Sequence, residues 1–207
     1  MPYTASIPCD RWRGERRDEI GTIATAHAAI GEVDGPGRPL EIGRPLAHAY
    51  VLRVVAAFQA FARDLHALAG ERLVELSDVG MAFRPLLSAA VSEGRAIDRG
   101  NADLRSLQRD FRRLGIAELN AKLEQTNGHW KKTPRRRGDK AYYRDLIELR
   151  NTLAHGNQGQ LDELRRRGVT DTVTWTRDRL PGLDRFAGSL DRIVWNHLRS
   201  TFQQEPW

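Results

Sequence analysis

Arg150, Asn151 and His155 are the residues of this sequence whose types and spacing best suit proton transfer beside a fixed positive charge. They lie in Tyr142–Asn157, YYRDLIELRNTLAHGN, where Tyr143, Leu146, Ile147, Leu153 and Ala154 recur as the apolar stripe of a helix. Arg150 sits inside that stripe. A guanidinium there must pair, reach solvent at an edge or face a wet cleft, because burying it alone is costly. Beside it runs a polar row of Glu148, Asn151, Thr152 and His155, in which Asn151 and His155 are four apart and can touch. His155 ends the helix just before Gly156. The carbonyl end of the helix favours imidazolium and the nearby arginine disfavours it, which poises the ring to take and give a proton near neutral pH. Five residues separate Arg150 from His155, about 140° around the axis. One helix therefore does not aim both at one point; the arginine swings across, or two helices meeting at a twofold axis pool their groups. The plainer alternative pairs Arg150 internally with Glu148 or Asp145. Arg192 and His197 repeat the spacing, but that helix runs on through Leu198, and the repeat reads as incidental.

A second feature lies immediately upstream. Asn127–Lys140 carries Lys131, Lys132, Arg135, Arg136, Arg137 and Lys140 against Asp139 alone, a net +5, so the remainder of a chain of net charge +6 sums to +1. A near-neutral body with one cationic loop points to a local anionic partner, nucleic acid first, or else to a loop that is merely solvated. Neutralising Arg135, Arg136 and Arg137 together should then weaken RNA binding and leave stability unchanged. Arg63, Asp64 and His66 line the same cleft or form a polar face of their helix. The five tryptophans are expected in packing or at the surface, with Trp130, inside the cationic loop, as the exception suited to stacking on a base. Nucleotide-loop, metalloprotease and zinc spacings are absent from the sequence, and no histidine pair is set to chelate, so neither a metal nor another cofactor is expected. The lone Cys9 excludes an internal disulfide. The longest run without Asp, Glu, Lys or Arg, Ile20–Gly31, has 12 residues, short of a membrane span, and the N-terminus lacks the pattern of a secretory signal. A cytoplasmic protein without a membrane partner is expected.

The elements that position these residues are helical almost throughout. Helices are predicted over Arg13–Ile30, ended by the Gly/Pro-rich stretch Asp34–Pro45, and over Leu46–Leu68, with Gly70 as the stop. A third covers Met81–Asp98, burying Phe83, Leu86, Leu87, Ala90 and Val91. Asn101 then caps Ala102–Leu114. A short helix over Ala117–Gln125, the Asp139–His155 helix, and a last one over Asp171–Phe202 with Pro181 as a kink or true start complete the set. The sum is an all-α bundle of five to seven helices. Residues 1–10 are expected as a tail and 11–204 as one domain, with 127–140 as a basic insertion.

The segment LIELRNTLAHGN closely resembles the signature of HEPN-domain proteins: Arg, a polar residue, three more residues, then His near a helix end. GPGRP (Gly35–Pro39), AYVLRVVAAFQAFARDLH (Ala49–His66) and RDFRRLGI (Arg109–Ile116) resemble blocks of bacterial RiboL-PSP-HEPN-like proteins and precede that element in the expected order. The resemblance spans roughly residues 11–200. It implies an up-and-down helical bundle that forms a homodimer, with the two R-N-x-x-x-H elements facing across the interface. It implies metal-independent endoribonuclease activity by 2′-hydroxyl attack, in a toxin or phage-defence effector with an antitoxin or defence-system partner. Carried over, Arg150 stabilises charge on the phosphate, His155 acts as acid or base, and Asn151 orients the imidazole or holds a phosphate oxygen. Some HEPN proteins bind without cleaving, so the alternative is a non-catalytic dimer that docks protein, nucleotide or RNA.

Overall fold

A computed structural model describes residues 2–33, 43–131, 133 and 137–207. In chain order the helices are α1 (Ile7–Arg11), a π-helical turn (Trp12–Arg16), α2 (Arg17–Val33), α3 (Gly43–Leu76), α4 (Arg84–Ser92) and α5 (Ala96–Arg99). They continue with α6 (Leu104–Arg113), α7 (Leu119–Thr126), α8 (Asp139–Ala154), α9 (Gln158–Arg166), α10 (Val173–Arg177) and α11 (Leu180–Phe202). Among the described residues there is no β-strand, so the architecture is all-α. It is more finely divided than five to seven helices. Gly94, at φ 66°, splits Met81–Asp98 into α4 and α5. Pro181 lies in the first turn of α11, where its missing N–H costs nothing, and leaves α10 as a separate turn. The Asn157 side chain caps α9, a helix absent from the sequence prediction.

α3 is the axis of the bundle and packs against α1, α2, α4, α8, α10 and α11. Its buried residues Tyr50, Val54, Phe58, Phe61 and Leu65 follow the predicted stripe, widened by Val51, Val55, Ala62 and Ala69 into a face too broad for one neighbour to cover. Gly70 does not stop it. The following ERLVEL is helix-forming, and Leu73 and Val74 pack on the core. Around Phe58 the rings of Trp12, Tyr143 and Phe186 lie with centroids 5.5, 5.1 and 4.9 Å away, tying the π turn, α8 and α11 to α3. α8 runs antiparallel to α3, since Tyr143 meets Phe58 while Leu153 and His48 line one cavity. The carboxyl end of α8 therefore sits beside the amino end of α3.

Two expectations fail here. The first ten residues are not a tail. Ser6 donates its backbone N–H (3.1 Å) and hydroxyl to Asp191 of α11, Tyr3 donates its hydroxyl to the same carboxylate, and Cys9 is fully buried. The last residue joins this corner, because the Trp207 indole N–H donates to the Thr4 carbonyl at 3.1 Å. The expected core face of Met81–Asp98 is also wrong. Val91 is buried, but Met81, Phe83 and Leu86 are 79, 63 and 66% exposed. Spacing marks residues that share a face; it does not supply a helix to cover them.

Candidate functional site at the end of α8

The Asp139–His155 helix forms with nearly the predicted bounds, and the way it stops places the histidine. Gly156 takes φ 63°, a left-handed conformation that glycine adopts without strain. Its N–H donates to the Leu153 carbonyl (3.3 Å), and the Asn157 N–H donates to that of Thr152 (3.1 Å). This paired closure fixes His155 as the last residue before the reversal. His155 is exposed, and among the described residues no side-chain hydrogen bond occupies its ring.

Arg150 is half-buried on the same helix. Its Nη1 donates to Asn151 Oδ1 at 3.2 Å, and that oxygen also accepts from Asn101 Nδ2 at 2.5 Å. Asn101 is not the cap of α6; that role falls to Asp103, which accepts from the Ser106 N–H at 2.7 Å. Asn101 is thereby free to hold Asn151, a role with no sequence signal because the two lie 50 positions apart. The internal pairing of Arg150 does not occur. Glu148 is taken by Arg167 at 2.7 Å and Asp145 by Arg137 at 2.6 Å, and among the described residues no carboxylate pairs with Arg150. Asn151, turned toward Asn101, does not hold the His155 ring by its side chain; only the backbone bond from His155 N–H to Asn151 O, 3.0 Å, joins them.

The basic segment behaves differently from its composition. Lys132, Arg135 and Arg136 lie outside the described residues. Lys131 pairs with Glu124 at 2.7 Å, and Arg137 with Asp145, whose side chain is 1% exposed. Burial pushes the Asp145 carboxyl up, and Arg137 is the first charge opposing that rise. Trp130, the suspected base-stacking residue, is fully buried against Phe186 with centroids 4.6 Å apart, and its indole donates to Asn120 Oδ1. The two ends of the loop are stitched: Asp139 N–H donates to the His129 carbonyl at 2.9 Å and Lys140 N–H to that of Trp130 at 3.3 Å. At this neck a Cβ on Gly138 would lie 2.4 Å from the Trp130 carbonyl oxygen, so only glycine fits.

Arg63, Asp64 and His66 do not gather at the α8 site. Arg63 reaches Asp98 at 3.0 Å, and Asp64 reaches Arg16 at 2.5 Å. His66 is buried and donates from Nε2 to the Asp110 carbonyl at 2.9 Å. Burial is the main cause that lowers its pKa, keeping the ring neutral. It borders a separate cavity of about 420 Å³ between α3 and α4. The second R-x-x-x-x-H pair is accounted for by structure, since the His197 ring bonds the Leu114 carbonyl at 2.8 Å. Among the described residues no three His, Cys, Asp or Glu gather as metal ligands. α3 alone among them is long and apolar enough to cross a membrane, which the charge-free count missed because Arg53 interrupts it; half of its most apolar window is buried in the bundle. No family profile, curated protein or solved structure matches this chain.

Proposed function

We propose that this protein is a metal-independent endoribonuclease of the HEPN type, working as a homodimer in which the carboxyl ends of two α8 helices share one cleft. Such a protein acts in the cytoplasm as a toxin or phage-defence effector, restrained by an antitoxin or defence-system partner. The observation that carries this reading is the guanidinium of Arg150, braced by Asn151 and Asn101 and free of any acid among the described residues, on the helix that ends in the exposed His155. Arg150 offsets the charge gathering on a phosphate oxygen, and His155 moves a proton. The two point about 140° apart on one helix, which favours pooling across a twofold axis.

RNA cleavage by the purified protein in EDTA tests this directly. The products should end in 2′,3′-cyclic phosphates, and His155→Ala and Arg150→Ala should each abolish cutting while the dimer persists. Activity that requires added magnesium, or that survives both substitutions, overturns the mechanism. A second reading, a non-catalytic HEPN dimer serving as a protein-, nucleotide- or RNA-binding module, draws on the exposed Met81, Phe83 and Leu86. It expects binding without cleavage.

A further inference from the structure

On the other flank of α8, with Leu153 about 200° around the axis from Asn151, lies a cavity of about 320 Å³. Its walls include Arg44 and His48 of α3, Leu153 and Gly156 from the turn that carries His155, and Asn157 and Leu161 of the following segment. His48 Nε2 lies 2.9 Å from Asp171 Oδ2. Asp171 is 8% exposed, gripped by Arg165 through Nε (3.1 Å) and Nη2 (2.9 Å), with Arg44 Nε at 3.5 Å. Burial works against its charge, but the hydrogen bonds from His48 and Arg165 outweigh burial and hold its pKa below the usual carboxylate range. An ionised carboxylate only accepts, so Nε2 is the donor to Asp171, and in the neutral ring the lone pair then lies on Nδ1. Among the described residues no hydrogen bond occupies Nδ1, and the ring borders the cavity.

A displacement at a phosphodiester needs a proton acceptor on one side and a donor on the other, and this cavity sets His48 against the turn that carries His155. We infer that His48 is the general base of the RNA cleavage proposed for this protein, with Asp171 positioning its ring and Arg44 facing the phosphate. The inference rests on the endoribonuclease reading. The ribose 2′-hydroxyl gives its proton to His48 Nδ1 as its oxygen bonds to the adjacent phosphorus. The bond from phosphorus to the 5′-oxygen breaks, and that oxygen takes its proton from the His155 imidazolium. The products are a 2′,3′-cyclic phosphate and a 5′-hydroxyl, and solvent returns the two rings to their starting protonation.

His48→Gln is the informative variant, because the glutamine amide keeps a donor for Asp171 and has no basic nitrogen. Its melting temperature and dimerisation should match wild type. Its rate on a fluorophore-labelled, mixed-sequence single-stranded RNA in EDTA should fall about 100-fold or more. His48→Gly should recover part of its activity when imidazole is added, a response that a merely structural histidine would not give. A His48→Gln rate equal to wild type, or a His48→Gly variant that imidazole leaves inactive, overturns this inference and leaves the roles of Arg150 and His155 standing. A wild-type protein that cuts no RNA overturns both.

Discussion

Asn151 Oδ1 receives Arg150 from one side and Asn101 from the other, so one side-chain oxygen sets where the guanidinium rests. Asn101→Ala should loosen this brace without emptying the core. RNA cleavage is expected to fall several-fold while chemical denaturation shifts by only about 1 kcal/mol. Unchanged kinetics would show that the brace has no part in the reaction. Asp171 gives a second test at this scale. Its folded pKa lies below that of the unfolded chain, so its contribution is complete above the ordinary aspartate value near 4. As pH falls below that value the unfolded chain takes the proton first, and the stabilisation drains away through the folded pKa. Asp171→Asn should cost stability at pH 7 and flatten its loss toward pH 3, as read by urea melts at the two pH values. Parallel melts for the two proteins would place the acid sensitivity elsewhere.

The stitched neck between α7 and α8 makes Gly138 the most demanding glycine of the fold. A methyl group there meets the backbone of Trp130 and Lys131 at 2.4 Å, and backbone cannot step aside as a flexible side chain can. Gly138→Ala should cost about 1–3 kcal/mol, measured by denaturation, with Trp130 fluorescence moving toward that of a wetter indole. Arg137 belongs to the same element. Removing it strands a carboxylate that is 1% exposed, so Arg137→Ala should destabilise by about 1–3 kcal/mol. Neutralising Arg135, Arg136 and Arg137 together is therefore not silent for the fold, and the electrostatic test of RNA binding belongs to Lys132, Arg135 and Arg136. Composition could not separate these cases: +5 in a row does not say which cations have acids waiting on a neighbouring helix. α8 and α11 were legible because their stripes are long and their ends are marked, by Gly156 in one and Pro181 in the other. Leu180, Leu183, Ala187, Leu190, Val194 and Leu198 are all buried as read. The grip of Asp191 on Tyr3 and Ser6, or of Asn101 on Asn151, joins residues far apart in the chain, and no local pattern encodes it.

At the scale of the molecule, the candidate site and the exposed apolar surface are separated by the axis of the bundle. α3 has 34 residues, about 50 Å of helix. Its amino end lies by His155, and its carboxyl end leads to Met81, Phe83 and Leu86. A dimer built on α8 should accordingly ignore Leu86→Ser and Phe83→Ser, while docking of a protein partner on the apolar surface should be lost in both. Sedimentation of the variants with and without RNA separates the two faces; a dimer that dissociates in Leu86→Ser would move the twofold axis to the wrong end for catalysis. The corner where Trp207 meets Thr4 has a different consequence. It joins residues 203 positions apart, so it can form only after the intervening helices have closed the loop between them. Trp207→Ser should therefore speed unfolding more than it slows refolding, as read by stopped-flow circular dichroism; an equal change in both rates would place this contact early in folding instead.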